Sequence, residues 1–284
     1  MLLAPLPWAR RVWALPFLTV LAPSERYHQE RGVRHKKLTD WARQMLTQAR
    51  RWLPDRPLIV VADSNYACLA LLAACQRLPQ PVTLITRLRL DAALYEPAPR
   101  RSPGQPGRPR VKGKRLPTLQ AILADPQTRW TQVRVPHWYS EGEREVEVVS
   151  GTCVWYHSGE PVVPIRWVLV RDPQGKFAPQ AFLCTDLTVE PEALLGWFVQ
   201  RWQLEVTYEE ARAHLGIETQ RQWNELAIVR TTPALFGLFS LVTLLADRQA
   251  VRGTLWPRQS AWYHRPSPRS RTRWQQCAGS CGRI

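Results

Sequence analysis

The sequence lacks the short motifs that identify most hydrolases and nucleotide-binding enzymes. It has no glycine-rich loop to cradle a phosphate, no GxSxG nucleophile elbow, no HExxH pair and no CxxC pair. Its 6 histidines are scattered along the chain, and none stands at ligand spacing from another. Nothing specific in the sequence therefore supports catalysis by a serine or cysteine triad.

Cysteine is scarce, and long hydrophobic runs are absent. The 6 cysteines in 284 residues suggest no disulfide framework, which predicts reduced thiols in a cytosol. Cys277 and Cys281 form a CxxxC pair with only His264 nearby, a weak basis for a zinc site. The longest apolar run, residues 235–246, is too short to span a membrane. The apolar N-terminus contains Arg10 and Arg11, so we interpret it as buried strand and not as a signal peptide.

Negative charge is also in short supply. The chain has 39 Lys and Arg against 23 Asp and Glu, a net charge of +16 and a pI near 10.4. This balance predicts a polyanionic partner, nucleic acid before an acidic membrane surface, although a merely soluble basic protein has the same composition. Residues 97–117 contain seven basic residues, six prolines and no acid, so we expect a loop or disordered arm. Its charge suits phosphate contacts, and an incidental surface insert is the alternative.

The order of predicted elements indicates an α/β protein. Residues 58–62 and 82–86 are predicted strands that flank a helix over residues 64–77, which implies a parallel crossover. Four further strands are predicted between residues 131 and 187. Helices are predicted from Pro191, with Glu192 in the first turn, and over residues 233–248. We also expect the strand at residues 10–21 to lie inside a sheet, preceded by another at residues 1–7.

Two acidic residues stand where chemistry could take place. Asp63 follows a predicted strand, and ligand sites in parallel sheets lie beyond the carboxyl ends of strands. A turn or helix-capping aspartate is the plainer interpretation. Glu205 lies in residues 198–212, FVQRWQLEVTYEEAR, a predicted helix with Phe198, Arg201, Glu205 and Arg212 on one face. There the alternative to a metal ligand is a salt-bridged surface face.

Carboxylates bind Mg²⁺ or Mn²⁺, and two such ions can activate water at a phosphodiester. Asp63 and Glu205 are therefore candidate metal ligands, and Arg201 and Arg212 could support Glu205 or grip a phosphate.

The residues resemble the signature of the DDE insertion-sequence transposases: Tyr, two residues, Arg, three residues, Glu, six residues, Lys. The spacing of Phe198, Arg201, Glu205 and Arg212 matches throughout, with Phe for Tyr and Arg for Lys. The stretches RWQLEVTYEEARAHLGIETQRQW and VVADSNYA also resemble the family's glutamate helix and its second-aspartate strand. The resemblance covers roughly residues 1–250.

The resemblance implies a ribonuclease H-like core with a β-rich insertion between the second aspartate and the glutamate. It implies two Mg²⁺ or Mn²⁺ ions, nicking of transposon ends and transfer of the 3′-hydroxyl to target DNA. Asp63 and Glu205 are then the second and third catalytic carboxylates and metal ligands. The DNA-binding residues are Arg201, Arg212, Arg108, Arg110, Lys112 and Lys114. Trp138, Trp155 or Trp167 could stabilise a flipped base, although all three also suit a sheet core.

The same resemblance implies four segments. Residues 1–90 are the N-terminal part of the core, 91–188 the basic loop and β-rich insertion, 189–250 the helical part carrying Glu205, and 251–284 a basic, disordered tail. It also implies a homo-oligomer in the synaptic complex and a cytoplasmic, nucleoid-associated protein of a bacterium, without a membrane partner.

One departure concerns the family's first aspartate. It ends a strand that should precede residues 1–21, and Asp40, Asp55 and Asp91 are poor substitutes. We therefore expect an N-terminally truncated chain, with the first core strand missing, that cannot transpose as it stands. The rival is a non-catalytic basic DNA-binding remnant that interferes with an intact transposase. A general ribonuclease H-type nuclease is disfavoured by the Arg–Glu–Arg pattern and the large insertion.

Overall fold

The computed structural model describes residues 1–9, 11–100, 107–136, 138–140 and 142–253. The chain divides into two compact units, which we call the terminal unit (Met1–Leu21 and Gln200–Ile284) and the sheet unit (Ala22–Val199). The tail predicted to be disordered falls almost wholly in residues 254–284, which lie outside the described residues. The four-segment division stays a prediction.

The elements, in chain order, are β1 (Leu2–Leu6), β2 (Arg11–Leu15), α1 (Glu25–Glu30), α2 (Leu38–Trp52), β3 (Leu58–Val61), α3 (Leu69–Gln76), β4 (Val82–Leu88), β5 (Leu94–Tyr95), α4 (Leu119–Ala124), β6 (Thr131–Val135), β7 (Arg144–Trp155), β8 (Val163–Arg171), β9 (Gln180–Cys184), α5 (Pro191–Gln200), α6 (Gln203–Leu215) and α7 (Glu225–Val251).

The sheet unit contains one seven-stranded mixed sheet. Its order is β3-β4-β9-β8-β7-β5, and β6 also pairs with β7. The β3–β4 pair is parallel, as the predicted crossover requires, and every other pair in this sheet is antiparallel. The predicted strands of the β-rich segment are confirmed, and through β9 they continue the sheet that carries β3.

Successive side chains in a strand point to opposite faces, which explains why this sheet packs against a hydrophobic core on each face. Leu84 and Ile85 are consecutive in β4, so their side chains point to opposite faces. Leu84 packs in a cluster with Leu72 of α3, and Ile85 packs in another cluster with Leu194 of α5. The mixed α/β class predicted from the sequence is confirmed.

The terminal unit holds β1, β2, α6 and α7. Strands β1 and β2 form a two-stranded antiparallel sheet of their own, so the expectation that residues 10–21 lie inside a larger sheet is wrong for the described part of the chain. Trp13 of β2 packs against Phe239 of α7 with ring centroids 6.1 Å apart. The hydroxyl of Thr207 on α6 donates to the carbonyl of Ala14. These contacts fix both helices on the hairpin.

Helix α7 is longer than the sequence predicted. Prediction placed its start at Pro233, because proline favours the first turn of a helix. The helix begins eight residues earlier, after Asn224, whose side chain accepts a hydrogen bond from the Leu226 amide, and Pro233 lies inside it. Its 27 residues are long and apolar enough to cross a membrane by length and composition alone, which the apolar run of residues 235–246 did not indicate.

Candidate active site

Asp63 lies just beyond the carboxyl end of β3, as predicted. Its Oδ1 accepts a hydrogen bond of 2.7 Å from the Ser64 amide, which caps a short 3₁₀-helix over Ser64–Tyr66. Its main-chain carbonyl accepts a 2.8 Å bond from the buried Thr86 hydroxyl on β4. The carboxylate is solvent-exposed. Asp63 is thus a capping residue, and its fixed backbone holds an exposed carboxylate at the end of a strand.

The helix predicted over residues 198–212 is interrupted. Helix α5 ends at Gln200, Arg201 and Trp202 form a turn, and α6 begins at Gln203. The amides of Leu204 and Glu205 bond to carbonyls three residues back, a tighter winding than in an α-helix. Phe198 therefore does not share a single helical face with Glu205, and that prediction is wrong.

Glu205 stands in the first turn of α6 with half of its side chain exposed. Its Oε1 lies 3.5 Å from Nη1 of Arg201. Arg212 instead pairs with Glu218, at 3.3 Å. Glu205 was predicted to lie between Arg201 and Arg212, but it pairs with Arg201 alone. The salt-bridge alternative therefore holds for Arg201 and Glu205, and half of the Glu205 side chain remains exposed to solvent.

Asp63 belongs to the sheet unit and Glu205 to the terminal unit. Among the described residues, no three His, Cys, Asp or Glu side chains form a group that could hold a metal ion. Both candidates offer carboxylate oxygens, the ligands that Mg²⁺ and Mn²⁺ prefer, and both are accessible. The donor chemistry therefore fits a divalent ion.

The second half of the predicted basic loop is ordered against the sheet. We call residues 107–117 the basic arm. Its Gly113 amide donates to the Glu96 carbonyl and the Glu96 amide donates to the Lys114 carbonyl, both at 2.8 Å. Arg108, Arg110 and Lys114 are exposed. The expected loop is thus confirmed for this half, which is fixed by hydrogen bonds and not disordered, whereas residues 101–106 lie outside the described residues.

The comparison with known families decides the class of the protein. The family model described as DDE superfamily endonuclease matches residues 1–148, which is more than half of the chain. The chain belongs to the DDE superfamily endonucleases. A search among curated proteins found no match.

Membership has direct consequences for the site. DDE superfamily endonucleases act on DNA and generally use divalent metals, in agreement with the substrate and cofactor class predicted from charge and carboxylates. The matched span of this DDE endonuclease includes Asp63 and the basic arm and ends before Glu205. Asp63 is therefore the candidate ligand inside the matched region, whereas Glu205 rests on the signature spacing.

The three tryptophans considered for base flipping are buried in this endonuclease. Trp138 is 5%, Trp155 7% and Trp167 8% exposed, and Trp138 stacks on Phe177. All three fill the core of the sheet unit and present no free ring face to a base, so that prediction is wrong. Among the tryptophans whose side chains the structure describes, the most exposed is Trp223, at 96%.

Two residues near the basic arm were missed by sequence reasoning. The rings of Tyr95 and Tyr156 lie beside the Lys112 ammonium, at 3.5 and 4.5 Å from ring centroid to Nζ. Tyr95 is in β5, and Tyr156 follows β7, which pairs with β5. The two tyrosines are 61 residues apart in the sequence, so only the strand pairing signals their proximity.

Proposed function

We propose that this DDE superfamily endonuclease is a transposase of an insertion sequence, in the group with the Tyr-Arg-Glu-Lys signature. The observation that carries the proposal is the family match over residues 1–148, with Asp63 inside it at the carboxyl end of β3. The matched spacing of Arg201, Glu205 and Arg212 supports the signature group. The parallel β3–α3–β4 crossover supports a ribonuclease H-like core with the β-rich segment as its insertion.

In this proposal Asp63 and Glu205 hold the divalent ions, two Mg²⁺ or Mn²⁺. Such ions, when bound, supply Lewis-acid activation of water and stabilisation of the leaving oxygen. Water oxygen bonds to the phosphorus at the transposon end, the bond from that phosphorus to the 3′ oxygen breaks, and a proton from the water leaves this oxygen as a 3′-hydroxyl. In strand transfer the 3′ oxygen bonds to a phosphorus of target DNA while the bond from that phosphorus to the target's own 3′ oxygen breaks, and the hydroxyl proton passes to that leaving oxygen. Arg201 steadies Glu205, while Arg212, Arg108, Arg110 and Lys114 contact phosphates.

We further propose that the 284-residue chain, on its own, nicks DNA weakly or not at all. A DDE site needs three carboxylates, and no Asp or Glu precedes Glu25 in the sequence. The later candidates have other partners: Asp40 accepts from the Lys37 amide, and Asp91 pairs with Arg89. In this proposal the transposase acts in a homo-oligomeric synaptic complex.

The alternative function is a basic DNA-binding protein without catalysis that interferes with an intact transposase. The net charge of +16 and the exposed arginines of the basic arm support it as much as they support the transposase. Salt-dependent DNA binding is expected of both functions. Only metal-dependent cleavage separates them.

The test is a nicking assay with Mg²⁺ or Mn²⁺ on DNA that flanks the coding sequence. We expect salt-dependent binding with weak or no nicking. Any residual nicking should depend on the metal and vanish with Asp63→Asn. Robust nicking abolished by Asp63→Asn would overturn the proposed inactivity, and nicking unchanged by Asp63→Asn would overturn the assignment of Asp63. Binding without any nicking favours the non-catalytic alternative.

A further inference from the structure

The Lys112 ammonium is held between two tyrosine rings. The rings of Tyr95 and Tyr156 meet edge to face, with centroids 6.3 Å apart and planes at 74°. Lys112 Nζ lies over both, at 3.5 and 4.5 Å from their centroids. A ring face carries the negative part of the aromatic quadrupole and attracts a cation. The charge of Lys112 is therefore already engaged inside the protein, and its side chain is half-buried.

The backbone beside Lys112 is fixed by hydrogen bonds to the strand that carries Tyr95. Gly113 and Lys114 each share a 2.8 Å bond with Glu96, and the Leu116 amide donates to the Leu94 carbonyl at 2.9 Å. A side chain at Gly113 could not be accommodated, because its Cβ would lie 2.6 Å from the Pro97 carbonyl oxygen. The close approach therefore sets the register of the basic arm against β5.

The rest of the basic arm differs from Lys112 in its surroundings. Arg108, Arg110 and Lys114 are exposed to solvent. Tyr95 pairs with Val154 of β7, and Tyr156 directly follows β7, so both rings are held by the same pair of hydrogen-bonded strands. The described part of the basic segment is therefore fixed where it meets this framework.

We infer that Lys112 is a positioning residue, caged by Tyr95 and Tyr156, that anchors the basic arm to the sheet and so presents Arg108, Arg110 and Lys114 to DNA phosphates. The inference deepens the proposed function, because it rests on the basic arm binding DNA. It assigns Lys112 a role different from that of a direct phosphate contact.

The test compares three variants. Tyr156→Leu removes one ring of the cage and leaves every charge in place, whereas Lys112→Met removes the caged charge. Lys114→Met is the matched control, because it removes an exposed charge two residues away. The readout without DNA is hydrogen exchange at the Gly113 amide. The readout with DNA is the affinity for a short duplex as a function of salt.

For an anchor, Tyr156→Leu and Lys112→Met both accelerate Gly113 exchange, by about tenfold or more, since local opening exposes the amide. Both weaken DNA binding by similar factors, and the double variant is no weaker than either single one, because they release the same contact. Lys114→Met leaves hydrogen exchange at Gly113 unchanged. It reduces the slope of log affinity against log salt concentration by about 0.9, the value expected for the loss of one phosphate contact. Tyr156→Phe, which keeps the ring, behaves as the unaltered protein.

Two results would overturn the inference. One is unchanged Gly113 exchange in both cage variants. The other is a combination of two observations: Lys112→Met reduces the slope of log affinity against log salt concentration by about 0.9, and Tyr156→Leu binds DNA normally. That combination indicates that Lys112 contacts a phosphate directly. Absence of DNA binding by the unaltered protein would instead refute the proposed function, and the exchange measurement would still decide whether Lys112 is an anchor.

Discussion

Asp63 shows how one side chain serves a turn and remains available for chemistry. The two hydrogen bonds of its carboxylate, from the Ser64 amide and hydroxyl, both end on Oδ1. Asparagine is as good a capping residue as aspartate. Asp63→Asn therefore removes the charge and keeps the turn, which makes it the appropriate variant for testing a catalytic or metal-binding role.

Asp172 is the acidic residue whose ionisation the structure ties most clearly to folding. Its Oδ2 lies 2.7 Å from Nη2 of Arg144 and accepts a bond from the Lys176 amide, and Oδ1 accepts from the Gln174 amide. Burial acts to raise its pKa, but these hydrogen bonds and the Arg144 charge outweigh burial and lower the pKa below its ordinary value. The hairpin turn between β8 and β9 thus favours the ionised carboxylate.

A pH dependence of stability follows from the depressed pKa of Asp172. The stabilisation is present above the unfolded pKa of about 3.9 and is lost as pH falls through the lower folded pKa. Asp172→Asn should lower the midpoint of thermal unfolding by a few degrees at neutral pH, with the difference from the unaltered protein narrowing in acid. Asp55→Asn, at an exposed position, serves as the control. A difference that stays constant with pH would contradict this assignment.

At the scale of elements, the break between α5 and α6 gives Phe198 a structural role. Phe198 is 2% exposed, and its ring centroid lies 4.5 Å from that of Phe182 on β9. The Cζ atom of Arg87 lies over the Phe198 ring, 5.7 Å from its centroid. The residue that fills the tyrosine position of the signature is therefore part of the core of the sheet unit. Arg201, three residues later, belongs to the terminal unit.

Truncation of Phe198 should destabilise the sheet unit. Phe198→Ala leaves a cavity against Phe182, and such changes cost about 3–5 kcal/mol. Trp223→Ala, at the 96% exposed position, is the control and should change the free energy of unfolding by less than about 0.5 kcal/mol. Chemical denaturation monitored by circular dichroism measures both. A loss for Phe198→Ala no larger than that of the control would show that its ring is not a core contact.

Local sequence patterns predicted most helices and strands, whereas contacts between residues far apart in the sequence could not be predicted. The apolar run at residues 58–62 and the alternation in β7, where Val146 and Val148 are buried, were sufficient to place both strands and to put Asp63 at the end of the first one. The pairing of Tyr95 with Arg115 and the cage around Lys112 join distant parts of the chain, so no periodicity signals them. The break at residues 201–202 was missed because the helical sequence pattern continues across it. The start of α7 was predicted too late because Pro233 was taken as its first residue.

At the scale of the whole molecule, the positive charge and the family agree on the partner. The surplus of basic residues predicted nucleic acid, and membership in the DDE superfamily endonucleases implies a DNA substrate. Asp63 was found because it follows a predicted strand, and Glu205 because its spacing from Arg201 and Arg212 matches the signature. Asp63 and Glu205 belong to separate units, so whether they form one site stays a prediction.

The central claim is that Asp63 and Glu205 hold divalent metal ions, and titration of the protein with Mn²⁺ tests it most directly. Calorimetry should show weak binding by the 284-residue chain, since two carboxylates leave the charge of the ions incompletely compensated. Binding should weaken further in both Asp63→Asn and Glu205→Gln. The exposed controls Asp55→Asn and Glu209→Gln should bind as the unaltered protein does. Tight binding at two sites would contradict the incomplete site, and binding unaffected by Asp63→Asn and Glu205→Gln would contradict the assignment of the ligands.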